Sequence, residues 1–226
     1  MSTVVADRIT RIGAGFACWI AALVLYVVAV RTRPGRELDA RWFGTLRDEL
    51  AGRSWIPDGA GLARNQLVLL VIGLGVVCAT CLVNRFRPRT TIVSLCVGIG
   101  PGFAAAVLKG LLTRPATGWE LTAHNSFPSG TVAGFAGMAA ALTYVARTRL
   151  QYVIACAAWG TTGLVSLIVI RAHWHRPSDV AGSVLIAVGA LAVASGISSL
   201  QQRAIAGVPP ARAMSPRPSP QPTARR

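Results

Sequence analysis

The sequence predicts an all-α integral membrane protein: a bundle of six transmembrane helices, with an interfacial amphipathic helix in the first loop. Three observations carry that expectation. Six apolar runs, near residues 12–30, 65–83, 90–112, 130–146, 152–170 and 179–199, approach or exceed the roughly 18–20 residues that a bilayer requires. Hydrophobic residues make up 53% of the chain and charged residues only 14%. The charges fall mostly between the runs and on the C-terminal tail. The net charge of +15 is therefore dispersed, not gathered into the patch that nucleic acid demands. Six spans in 226 residues leave room for one membrane domain, one sizeable loop and a tail, and exclude a separate soluble domain. Residues 1–64 form the first span and outer loop, 65–200 the membrane core, and 201–226 a Pro/Arg/Ser/Ala tail expected to be disordered.

The first run follows Arg8 and Arg11 and meets Arg31, Arg33 and Pro34 without a small-residue cleavage site, so it reads as a retained span. Within the loop 31–64, Glu37 to Ala51 reads as a helix, with Pro34-Gly35 before it, acids in its first turn and Gly52 after it. Leu38, Trp42, Phe43, Leu46 and Leu50 share one broad face. That face suits a helix lying on the bilayer interface, and equally one packed on the protein's own loops. Either way it reads as a lid or lipid-entry feature with no catalytic part. The second span ends in the basic turn Asn84 to Arg89. The third contains Pro101, where a missing backbone donor predicts a kink or local unwinding. It closes on Lys109, the one lysine against 22 arginines. A lone lysine where a span meets a loop suggests a charge with a task, although on position alone snorkelling explains it better.

Arg114-Pro115 follows, and the loop 113–128 ends in His124-Asn-Ser-Phe-Pro-Ser-Gly130. Ser129 is a natural N-cap for the fourth span, and Gly130 lets a ligand approach the backbone. Exposed amides at such a terminus bind phosphate. Gly130-x-x-x-Gly134 and the alanines beyond it predict close packing of this span on a neighbour. The fifth span runs to Arg171-Ala-His-Trp-His-Arg-Pro-Ser-Asp179, which holds two of the three histidines. If Pro177 opens the sixth helix, His175 stands just before it and Asp179 inside it, spaced i, i+4. The carboxylate can then fix the imidazole tautomer and leave the other ring nitrogen as nucleophile or base, or it can simply cap the helix. The five cysteines all lie within spans, and Cys78-x-x-Cys81 reads as two small packing residues.

Basic residues divide almost evenly between the two sides, but the short turns holding Arg85, Arg87, Arg89, Arg147 and Arg149 favour a cytoplasmic N-terminus. Lys109, Arg114, Ser129, Arg171, His175 and Asp179 then all fall on one side of the membrane, the outer face of the cell membrane. Independently placed polar residues converging on one face are not what a simple span bundle predicts.

The order Lys–Arg-Pro, Pro-Ser-Gly, then Arg–His-x-x-x-Asp at span boundaries resembles the type 2 phosphatidic acid phosphatase superfamily, the lipid phosphate phosphatases related to vanadium haloperoxidases. The resemblance covers about residues 65–199, and is tightest at Phe127 to Gly130 and Trp174 to Asp179. It implies hydrolysis of a lipid phosphate or diphosphate through a phosphohistidine, without a metal or other cofactor. It implies His175 as nucleophile, oriented by Asp179, and Lys109, Arg114, Ser129, Gly130 and Arg171 as the phosphate-binding groups. Three positions depart from the family pattern. Ala116 stands where the first motif has arginine, with Arg114 offered instead. Val169 stands where the third has arginine, with Arg171 two residues later. Thr131 replaces the histidine that protonates the leaving group. His124 or His173 are the available substitutes, and a diphosphate, whose leaving group is a phosphate anion, needs that acid less. The alternative is a lipid-phosphate-binding membrane protein that has kept the pocket and lost the acid.

Overall fold

The computed structural model describes residues 3–115 and 125–206. Its helices are α1 (Thr3–Leu25, continued by a π-helical turn Tyr26–Arg31), α2 (Arg33–Ala51), α3 (Gly59–Val83), α4 (Pro88–Leu111), α5 (Gly130–Val145), α6 (Arg149–Arg171) and α7 (Pro177–Ala206). There is no strand among the described residues. Five helices are long and apolar enough to cross a membrane: α1 with its π turn, α3, α4, α6 and α7. The remaining predicted span, α5, is an apolar helix of 16 residues, about 24 Å at 1.5 Å per residue, and falls short of that length.

α5 is short because it need not face lipid. It packs on α3, α4, α6 and α7, and Val132 to Leu142 are buried without a break. Its small residues make that possible. A Cβ on Gly137 would be driven into the Gly98 carbonyl oxygen of α4, and one on Gly134 would lie 3.2 Å from Leu70 of α3. The close packing expected of this glycine-rich span is present. α4 stays helical through Pro101, so local unwinding does not occur there, and Pro101 itself is buried against Gly137. α1 packs on α7 in the same manner, with Gly15 facing Val193 and the Trp19 indole donating to the Ile186 carbonyl at 3.1 Å.

At one end of the bundle, the α3–α4 and α5–α6 turns are stitched together. Thr148 and Gln151 form a capping box on α6, and the Gln151 and Asn84 amides exchange hydrogen bonds of 3.0 and 3.2 Å. At the other end meet the C-termini of α4 and α6 and the N-termini of α5 and α7. α2 lies on that end.

α2 begins four residues before the sequence expectation, because Thr32 caps it by accepting from the Gly35 N–H and Pro34 occupies its first turn. The acids are therefore not in its first turn. The apolar face divides. Phe43, Leu46 and Leu50 pack on the cluster around Val132, Val165 and Val169, whereas Leu38 and Trp42 are exposed. At the other end of the chain, α7 continues to Ala206, into the segment assigned to the tail, and 207–226 lie outside the described residues. All five cysteines are free, and Cys81 is buried beside Ser94.

The contact at Gly137 sets a test. Gly137→Ala should destabilise by about 1–3 kcal/mol, the usual cost of overpacking. Gly160→Ala, whose Cβ would meet nothing within 4 Å, should leave the thermal midpoint of the purified protein unchanged or slightly raised. Equal midpoints for the two variants would contradict the α4–α5 packing.

Candidate active site

The site is built where the N-termini of α5 and α7 are bound to each other. Ser129 caps α5, its hydroxyl accepting from the Val132 N–H at 3.3 Å, while its own N–H donates to the Asp179 carbonyl at 3.1 Å. The Ser183 hydroxyl reaches the carbonyls of both Ser129 and Asp179 at 2.8 Å. Two helix termini are thus held side by side; the first N–H groups of α7 are taken by Asp39 and the Arg176 carbonyl, whereas no described residue accepts from the Gly130 N–H of α5. The place a Cβ on Gly130 would take lies 3.9 Å from the Lys109 Nζ, so α4 delivers its ammonium to the α5 terminus. No hydrogen bond or ion pair to a described residue engages that ammonium. A single cation beside open amides is an anion-binding arrangement.

Pro177 opens α7 and Asp179 occupies its first turn, as the sequence predicts. Asp179 is fully buried. Its Oδ2 accepts from the Arg176 N–H at 2.9 Å and the Ser126 hydroxyl at 2.7 Å, so the carboxylate caps α7 from within its first turn. His175 Nδ1 stands 3.6 Å from the same oxygen, longer than a hydrogen bond, and has no other partner. The His175 N–H turns back to the Val169 carbonyl at 3.3 Å, which sets the ring at the mouth of α7.

The basic residues divide. Arg114 is buried, its guanidinium donating to the Ser126 hydroxyl and standing 3.5 Å from Asp179 Oδ1 and 3.7 Å from Asp39 Oδ2. It is engaged by carboxylates, and its place is beside Asp179. Arg171 donates instead to the Ile56 and Arg53 carbonyls of the loop after α2, and joins none of these groups. Val169, where the family pattern has arginine, is fully buried in an apolar cluster.

Asp39 is the residue that sequence reasoning missed. It is buried, and accepts from the Ser178 N–H at 3.1 Å and the Ser178 hydroxyl at 2.8 Å, so α2 supplies a carboxylate to the α7 terminus. The signal was its register: Asp39, Phe43, Leu46 and Leu50 form one helical stripe, and an acid on an otherwise apolar stripe needs a polar partner. α2 therefore does more than cover the site.

Thr131, in the place of the family's histidine, donates its hydroxyl to the Gln66 side-chain oxygen at 3.0 Å. His173 has a left-handed backbone, is exposed, and sets its ring edge-on to Phe43 at 5.9 Å. His124 lies outside the described residues. Next to the site an apolar cavity of about 440 Å³ opens between α1, α4 and α7, lined among others by Tyr26, Pro101, Leu108, Leu112, Phe127 and Ile186. Leu112 and Phe127 belong to the segments that carry Arg114 and Ser129.

Burial pushes the Asp39 carboxyl above its ordinary value of 3.8, against the opposing pull of the Ser178 hydrogen bonds. A carboxyl raised in the folded state contributes stability that is present below 3.8 and lost as pH climbs through the raised value. The thermal midpoint of the wild type, measured relative to Asp39→Asn, should therefore fall as pH rises from below 3.8 and then level off. A difference that grows in favour of the wild type over that range would show that the hydrogen bonds outweigh burial.

No curated protein and no solved structure matches the chain. The model of the PAP2 superfamily matches residues 64–203, the stretch that holds Lys109, the Ser129–Gly130 terminus, His175 and Asp179, and the chain belongs to that superfamily of phosphatases.

Proposed function

We propose that the protein hydrolyses a lipid phosphate or lipid diphosphate through a phosphohistidine at His175, at the outer face of the cell membrane and without a metal. The observation that carries this reading is the unpaired Lys109 ammonium beside the Gly130 terminus, set next to a histidine backed by a buried carboxylate. Phosphate oxygens repel a nucleophile until they are neutralised. Lys109, the Gly130 amide and the capped Ser129 terminus neutralise them. Once the 3.6 Å gap to Nδ1 closes in the occupied site, Asp179 holds the proton of His175 there, which leaves Nε2 to attack phosphorus. The P–N bond forms as the P–O bond to the leaving group breaks. Water then attacks the phosphohistidine, the P–N bond breaks, and inorganic phosphate leaves. Arg114 serves this scheme by partnering Asp179, and Arg171 by fixing the α2–α3 loop. The apolar cavity beside Leu112 and Phe127 suits the hydrocarbon chain of a lipid whose headgroup lies at Gly130.

The Thr131–Gln66 pair favours a diphosphate. A threonine hydroxyl bonded to an amide oxygen cannot protonate an alkoxide at neutral pH, whereas a phosphate leaving group departs without a proton. The same pair supports a second reading, a lipid-phosphate-binding membrane protein without turnover.

Phosphate release by the purified protein, with EDTA present, from one lipid monophosphate and the diphosphate of the same chain separates these readings. Turnover of the diphosphate well above the monophosphate is expected. His175→Ala should abolish it. Thr131→His should raise monophosphate turnover, by up to about 10²–10⁴-fold if the new imidazole is well placed. Binding of both lipids without release of phosphate from either would establish the non-catalytic reading instead.

Sidedness has its own test. A cysteine in place of Trp174, which is 37% exposed, should react with an impermeant thiol reagent in intact cells, and one in place of Arg149 should not. The reverse labelling would put the site on the cytoplasmic face.

A further inference from the structure

The charges at the mouth of α7 do not cancel. Arg114 carries one positive charge, and Asp39 and Asp179 carry one negative charge each, so +1 − 2 leaves these three groups at −1, a surplus that Lys109 faces in the free site and that stands uncompensated once the substrate phosphate takes the ammonium. His175 faces this cluster through Asp179 Oδ2. When Nε2 bonds to phosphorus with the proton still on Nδ1, the imidazole becomes a cation. In a water-poor site that cation needs a nearby negative charge, and the Arg114–Asp179 pair alone is neutral.

We propose that Asp39 is a positioning residue of this site: from α2 it holds Arg114 in its bridging place and supplies the negative charge that balances the cationic phosphohistidine. The proposal rests on the phosphohistidine reading above for its catalytic effect, and on geometry alone for the Asp39–Arg114 pairing. The geometry is specific. Asp39 lies across 139 positions of sequence from Ser178, yet both its oxygens are engaged there, and Oδ2 also faces Arg114 at 3.7 Å. The charged groups facing Asp39 are Arg114 and Asp179. Of the others on the neighbouring elements, Arg171 is bonded to the Ile56 and Arg53 carbonyls and Arg31 to Thr113. Nothing else on the described elements bonds to the Asp39 carboxylate.

An anchor that merely docks α2 and one that tunes charge differ in their kinetics. The substrate phosphate is an anion, so removing a negative charge does not weaken its binding, whereas the cationic intermediate loses its counter-charge. Asp39→Asn is therefore expected to lower kcat by roughly 10–100-fold while KM stays within about twofold or falls. Ser178→Ala removes one hydrogen bond that docks α2 but leaves the charges in place, and should keep kcat near that of the wild type. If Asp39→Asn turns over like the wild type, or Ser178→Ala loses as much kcat as Asp39→Asn, the proposal is overturned. Should Asp39→Asn not fold, Asp39→Glu takes its place. It keeps the charge but moves it by one methylene, and is expected to show reduced kcat with KM preserved; an unchanged kcat overturns the proposal. A wild-type protein without any phosphatase turnover would refute the function proposed above, and the pairing would then be decided by stability. The thermal losses of Asp39→Asn, Arg114→Lys and the double variant should be less than additive, and strict additivity would overturn the pairing.

Discussion

The structure depends on one buried carboxylate. Removing a charge from water costs several kcal/mol even after relaxation, so Asp179 can be fully buried only where donors converge on it. Those donors come from separate segments: the Arg176 N–H of its own helix cap, the Ser126 hydroxyl of the α4–α5 loop, and the Arg114 guanidinium beyond α4. Its carbonyl in turn receives the Ser129 N–H. Satisfying Asp179 therefore fixes the loop that carries Ser129 and the terminus that carries His175 relative to each other. The chemistry of the site and the folding of this end of the bundle rest on the same hydrogen bonds.

Small residues supply the other half of that constraint. Two helix N-termini approach closely only if the helices behind them do, and α5 achieves this with glycine or alanine at eight of its 16 positions. Gly182 of α7 contributes as well: a Cβ there would lie 2.5 Å from the Phe127 ring. That ring closes the site end of the apolar cavity. Close packing thus sets the distance between a polar site and a lipid-like cavity, two environments that an amphiphilic substrate needs side by side.

Much of this was legible in the sequence. Apolar runs found every span-length helix, although α1 and α3 begin nine and six residues before their runs and α7 ends seven beyond its own, and Pro177 with the i, i+4 spacing of His175 and Asp179 placed both at the start of α7. Local chemistry encodes such features. What was not legible depends on contacts remote in sequence. Spacing alone could not show that Arg171 would turn to the Ile56 carbonyl while Arg114 turned to Asp179, since both are basic residues at span ends. Asp39 passed as an ordinary acid in a surface helix because its partner, Ser178, lies on the last helix. α5 had the composition of a span, and only its burial on all sides explains a helix shorter than a bilayer.

Among the buried side-chain atoms left without a partner is the one on which the proposed chemistry turns. His175 Nδ1 faces Asp179 across 3.6 Å, too far to share a proton well, and leaving such a group unsatisfied costs about 1–3 kcal/mol. Asp179 cannot move toward it, since three other donors hold the carboxylate. The imidazole can, because its end of the chain is a short segment between α6 and α7. Catalytic hydrogen bonds that are long in the free protein commonly tighten once substrate is bound. As Nε2 bonds to phosphorus the ring gains positive charge, which strengthens donation from Nδ1–H to the Asp179 carboxylate and closes the gap by a few tenths of an ångström. In the proposed reaction, attack on phosphorus and completion of the His175–Asp179 pair are therefore a single event.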